Sequence, residues 1–146
     1  MLLKLNNERP KKEKLLQELT GDSYSFFERL KNKIFGSPRY DIISIEPDIF
    51  LEKTPGRICA NLEIRKKGIV VYFRFNHDEY AIATSFHQLT ILKGQNLVIQ
   101  VNNHRLLLKI SNNNQHLKFV RTLINQKAKF CGESNIFLSN SKRLNA

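Results

Sequence analysis

The sequence predicts an α+β domain: an antiparallel β meander of about seven strands, preceded by helices and closed by one C-terminal helix. Three observations predict it. Apolar residues recur with a helical period before residue 38, with a period of two between residues 40 and 110, and with a helical period again after Asn114. Turn residues punctuate the middle region at short intervals. No segment between the strands is long enough for the helix that a parallel crossover needs.

Residues 1–38 read as a helical extension. Asn7 is placed to cap a first helix whose opening turn tolerates Pro10, and Leu15, Leu16 and Leu19 form its apolar face up to Thr20-Gly21-Asp22. Ser25-x-x-Glu28 is a capping box for a second helix carrying Phe26, Phe27, Leu30 and Ile34, with Gly36 as a left-handed cap and Pro38 as a stop. Packing that apolar face against the sheet is the economical arrangement. A membrane interface is the alternative, because Arg29, Lys31 and Lys33 lie opposite.

Residues 39–130 form the main domain. Ile58, Ala60, Leu62 and Ile64 alternate with Cys59, Asn61, Glu63 and Arg65, the pattern of a strand with one buried face. Further strands are predicted near Ile42–Ile45, Ile49–Lys53, Gly68–Phe75, Glu79–Ser85, Leu89–Lys93, Asn96–Val101 and His104–Ile110. They are separated by turns at Thr54-Pro55-Gly56, Lys66-Lys67, Asn76-His77-Asp78, Gly94-Gln95 and Asn102-Asn103. The last helix places Leu117, Val120, Leu123 and Ile124 on one face and Lys118, Arg121, Asn125 and Lys129 on the other. A core uniting Ile58, Leu62, Ile64, Leu106, Leu108, Leu117, Val120 and Ile124 follows. Residues 131–146 are small, polar and aperiodic, and read as a frayed tail.

At 146 residues, 41% hydrophobic and 25% charged, the chain can bury one core. It contains no apolar run of membrane-spanning length, and Met1-Leu2-Leu3-Lys4-Leu5 leads into Asn6-Asn7-Glu8-Arg9 with no h-region. A cytoplasmic protein is expected, able to sit peripherally on a membrane. Cys59 and Cys131 lack partners at metal-ligand spacing and read as reduced thiols, a disulfide between them staying open. No catalytic motif is present, so neither an enzyme nor a cofactor is expected. His77-Asp78-Glu79 reads as a solvated turn and not a metal site, and His77, His87, His104 and His116 all read as surface residues.

The net charge of +11 is concentrated towards the end of the chain, with six basic residues against one acidic in 111–146. Such a field attracts anionic partners. Joint enrichment in Lys, Asn, Ile and Phe is also what an AT-rich coding sequence produces without selection for binding. Alternating hairpin ends predict one basic cluster of Arg65, Lys66, Lys67, His104 and Arg105, with His87 nearby. A secondary stripe comprises Lys118, Arg121 and Lys129. Tyr72 and Phe86 are the candidate exposed stacking platforms.

The order of elements from Ile42 to Phe130 resembles the pleckstrin-homology-like superfold, particularly its small bacterial members, in which a C-terminal helix plugs an open end of a bent sheet. Lys53 and Arg57 flank the Thr54-Pro55-Gly56 turn, where phosphoinositide-binding members of that superfold carry basic residues. The resemblance and the charge together imply a non-catalytic binding or adaptor module that presents a basic surface to an acidic protein segment or an anionic lipid headgroup. A sequence-nonspecific nucleic-acid-binding protein is the alternative.

Overall fold

Three helices and eight strands make up the computed structural model, which describes residues 2–5, 9–46, 58–75, 77–101, 103–110 and 113–134. In chain order they are β1 (Leu2–Lys4), α1 (Arg9–Thr20), α2 (Phe26–Asn32), β2 (Tyr40–Glu46), β3 (Cys59–Ile64), β4 (Gly68–Phe75), β5 (Asp78–Ser85), β6 (Leu89–Leu92), β7 (Asn96–Val101), β8 (His104–Lys109) and α3 (Asn113–Ser134). The expected strand at Ile49–Lys53, the Thr54-Pro55-Gly56 turn with its flanking Lys53 and Arg57, the Asn7 cap and residues 135–146 lie outside the described residues.

All eight strands join one antiparallel sheet in the order β1-β5-β4-β3-β2-β8-β7-β6. This is two meanders, β2 to β5 and β6 to β8, stitched together where β8 returns to pair with β2. A single Phe86–Gln88 turn links β5, next to one edge, to β6 at the other edge. In a flat sheet those two strands would stand ~29 Å apart. The four peptide steps from Ser85 to Leu89 reach ~15 Å at most. The sheet therefore curls until its edges approach, without β1 and β6 pairing to close it.

The inner face of this curl holds the core. Ile58, Ala60, Leu62 and Ile64 are all buried, while Cys59 and Glu63 are half-buried and Asn61 is exposed, as a period of two requires. Leu106 and Leu108 join them, and α3 covers them with Phe119, Val120 and Leu123. The helix is rotated by about one residue from the predicted face. Leu117 is 53% exposed, Ile124 is only half-buried, and His116 and Phe119 take the inward positions. The helix also continues to Ser134 instead of ending at residue 130.

A second, smaller cluster lies on the outer face, where Leu16 of α1 packs with Leu5, Val70, Ala81 and Ala83. The 1–38 segment differs from its helical reading at three points, the first being that Leu2–Lys4 is a strand, paired with Tyr80–Ile82. It also gives the sheet its outer cover through α1, not α2. The left-handed cap of α2 is Lys33 (φ 55°) and not Gly36, because the chain turns one residue after Asn32 so that Ile34 can drop into the core.

Candidate docking surface

The first basic residue expected at the surface is turned inward. Arg65, just beyond β3, forms a bridge with Ser23, and its side chain is 2% exposed. Its Nε donates to Glu63 Oε1 at 2.9 Å, and its Nη2 donates to Glu13 Oε1 at 2.8 Å and to the Tyr72 hydroxyl at 3.0 Å. Tyr72 in turn donates to Glu63 Oε1 at 2.9 Å. Burial by itself would weaken the guanidinium's hold on its proton, but Glu63 and Glu13 outweigh it and the pKa is raised. Burial likewise works against the Glu63 carboxylate, yet its bonds to Arg65, Tyr72 and Ser23 keep its pKa below the ordinary value. The Tyr72 hydroxyl is pushed up to about 12, by burial first and by Glu63 second. Charges that burial would expel are held because they compensate one another.

The other residues of that expected cluster are dispersed. Lys66 is committed to Glu28 at 3.1 Å and lies over the Tyr24 ring. Lys67 is exposed, but its backbone is tied to Thr20 and Phe86, and its stem lies against Gly21, where φ is +79° and a Cβ would crowd it. His104 is half-buried, with its Nδ1 sealed from solvent and no hydrogen-bond partner. Arg105 is exposed and stands opposite Glu46 in the β2–β8 ladder. Since β3 and β8 are both antiparallel to β2, they run the same way. The Lys66-Lys67 turn follows the end of β3 and Arg105 opens β8, so the ladder sets them at opposite ends. Of the two proposed stacking platforms, Phe86 is fully buried and Tyr72 half-buried.

What the sequence leaves undecided is the orientation of α2. Its capping box forms: Glu28 N–H donates to Ser25 Oγ, and Ser25 N–H donates to Glu28 Oε1, each at 3.2 Å. The polar side of this short helix then faces the protein. Glu28 holds Lys66, while Arg29 reaches Glu63 at 3.6 Å and donates to the Tyr24 carbonyl. Ser23 donates to the other Glu63 oxygen, Oε2, at 3.0 Å, and Tyr24 donates its hydroxyl to Gln126 on α3 at 3.1 Å. The apolar side faces outward, leaving Phe26 71%, Phe27 79% and Leu30 63% exposed. Only Ile34 turns in. The helix is thus joined to the protein through two partly exposed ion pairs, and the residues just before it through the Ser23 and Tyr24 hydrogen bonds, with its apolar face outermost, the reverse of ordinary amphipathic packing. The charges of Glu28-Arg29 and Glu63-x-x-Lys66 are complementary, but they pair only because the fold brings α2 to the end of β3.

A groove of ≈ 250 Å³, lined by Phe26, Leu30, Ile34 and Phe35 with Arg29 and Lys33 at its polar margin, runs along this face. Lys31 and Lys33 are exposed on the same short segment, and Lys118, Arg121 and Lys129 are exposed along the outer side of α3 as the sequence predicts. Apolar centre and basic surround are therefore carried by two adjoining elements.

Two further polar clusters lie among the described residues. Cys131 Sγ lies 3.8 Å from His87 Nδ1 and 3.9 Å from Lys127 Nζ, and neither cysteine is in a disulfide. Tyr40 and His116 share a 2.7 Å hydrogen bond in the core, which corrects the surface reading of that histidine. Among the described residues no group of three or more His, Cys, Asp or Glu could hold a metal ion, and no helix is long and apolar enough to cross a membrane. No family model, curated protein or solved structure matches this chain. Its function must be argued from its own surface.

Proposed function

We propose that this protein is a non-catalytic binding module that docks peripherally on an anionic membrane surface, with α2 as the element that enters the interface. The observation that carries the reading is the outward apolar face of α2, held there by ion pairs on its inner side. A contiguous exposed apolar patch with a basic surround is characteristic of an interaction site. Phe26 and Phe27, at the rim of the groove and beside it, are more than two-thirds exposed, so two aromatic rings stand in solvent next to the concave part of the face. A protein partner would need a matching cavity to receive them, whereas a bilayer admits protruding aromatics at the headgroup boundary without a preformed pocket. Lys31, Lys33, Lys118 and Arg121 then lie at headgroup level, where each basic residue contributes about 1 kcal/mol on an anionic surface. The bent sheet with its C-terminal helix is compatible with the pleckstrin-homology-like superfold, and the proposal uses that architecture as a rigid anchor.

Co-sedimentation with vesicles tests it. Vesicles containing phosphatidylglycerol should retain the protein, neutral phosphatidylcholine vesicles should retain it weakly, and added salt should reduce retention. The double variant Phe26→Ala/Phe27→Ala should melt at the unchanged temperature and stay in the supernatant. Retention of that variant equal to the parent, or binding to an acidic protein or single-stranded DNA with no vesicle binding, would overturn the proposal.

A further inference from the structure

The C-terminal end of α2 and the outer face of α3 enclose a cleft of ≈ 350 Å³, continuous with the apolar face through Phe35 and Lys33, which line both. Three cations line it, Lys33, Lys118 and Arg121, together with the side-chain amides of Asn32, Asn125 and Gln126. No carboxylate is among its described lining residues. We infer that this cleft is a binding site for a phosphate-bearing anion carrying more than one negative charge, which on a membrane is a phosphomonoester headgroup. The inference rests on the membrane reading for its lipid form only.

The helical spacing explains the convergence. Lys118, Arg121 and Asn125 follow one another at i, i+3 and i+7, and Thr122 and Gln126 form the adjacent row, so five side chains of α3 share one wall. The opposite wall is fixed by the cap of α2. Lys33 stands there with φ at 55°, a conformation that glycine or asparagine adopts at less cost. Lys118 is steadied by the Phe35 ring, with Nζ 5.9 Å from its centroid. Gln126 accepts from Tyr24 through its amide oxygen, which leaves its NH₂ group to donate into the cleft. Thr122 is wall and not donor, because its hydroxyl already donates to the Lys118 carbonyl at 2.9 Å.

Charge decides the ligand class. A phosphodiester brings one negative charge and a phosphomonoester nearly two at neutral pH. Attraction to three cations that have no ion-pair partner among the described residues scales with that charge. Arginine adds a planar fork suited to phosphate oxygens, and lysine adds compact point charges. The volume is at the small end for ligand pockets, which fits a headgroup or free polyphosphate and not an extended molecule.

The full chain should be titrated with sodium pyrophosphate by calorimetry, and separately with vesicles in which phosphatidic acid or phosphatidylglycerol supplies the same total charge. Pyrophosphate should bind, and the exposed double variant Lys118→Ser/Arg121→Ser should weaken that binding at least tenfold while melting normally. The parent should prefer phosphatidic acid vesicles, and the cleft variant should lose that preference, binding phosphatidic acid and phosphatidylglycerol vesicles alike and both more weakly than the parent, since the two lost charges also served the general anionic surface. Phe26→Ala/Phe27→Ala should release vesicles yet keep pyrophosphate. Pyrophosphate binding without any vesicle binding would support the cleft as a site for a free anion and sink the membrane reading. Pyrophosphate binding that is absent, or equal in the cleft variant, would overturn the inference whatever the vesicles do.

Discussion

Arg65 Nε lies 2.9 Å from the Oε1 of Glu63, two residues back along the same extended segment, so that both charges sit on one face of the sheet beneath α1. This pair joins three elements: α1 through Glu13, β4 through Tyr72 and α2 through Arg29.

Removing the buried partner should therefore cost far more than removing the exposed one. Arg65→Met takes the buried guanidinium from Glu63, leaving it the Tyr72 and Ser23 hydroxyls and the longer Arg29 contact, and should destabilise by about 3 kcal/mol, the lower end of the range found when one member of a buried ion pair is lost. Glu13 has a side chain 39% exposed, and Glu13→Ala should cost no more than about 1 kcal/mol. Urea unfolding of both variants checks the ratio, and equal costs would mean that the guanidinium is solvated.

The rotated face of α3 can be read by truncation. Leu123→Ala removes a fully buried side chain and should cost about 3 kcal/mol, whereas Leu117→Ala should change stability by less than about 0.5 kcal/mol. Comparable losses at the two sites would restore the face that apolar periodicity alone suggests.

At Gly68 the backbone of β5 approaches so closely that a Cβ would run into the Thr84 carbonyl and the Ser85 Cα. Backbone cannot swing aside as a side chain can, and Gly68→Ala should cost about 2 kcal/mol through overpacking. Thermal melting measures it. A neutral substitution would show that β4 and β5 are further apart at Ser85 than their register implies.

His116 gives the stability a pH dependence. Burial, and then Lys93, hold its pKa below the ordinary value, so the unfolded chain binds a proton there before the folded one does. Burial lowers His104 in the same direction. Stability is then full above about pH 6.5 and is lost as pH falls from there through the folded value. Glu63, also depressed, adds a second loss below the ordinary carboxylate range. Urea midpoints measured from pH 8 to pH 4 should decline in the histidine window, and less steeply in His116→Gln. An unchanged slope would place the first loss elsewhere.

The strand from Cys59 to Ile64 was legible because its alternation is uninterrupted and its inner face is wholly apolar. Leu2–Lys4 was not, since three residues are too few to show a period and their pairing with β5 is set by tertiary contact. The face of α3 was misjudged by one residue because Leu117 and Phe119 are equally apolar, and because the partner that permits a buried His116 is Tyr40, far away in sequence. Arg65 failed for the same reason: one of its two carboxylates belongs to α1. For α2, amphipathicity was readable and direction was not, because direction depends on charges contributed by β3 and the turn after it.

The stitching of the sheet also governs the order in which the chain can assemble. β1 has no partner until Tyr80–Ile82 exists, and β2 cannot gain its second neighbour until Arg105–Lys109 has emerged from the ribosome. Contacts so remote in sequence carry a loop-closure entropy that must be met before they stabilise anything. Refolding on the millisecond-to-second scale of sheet-dominated domains follows. The β3–β4–β5 meander, whose pairings are local, is the segment able to form first and to template β1 on one side and β2 on the other.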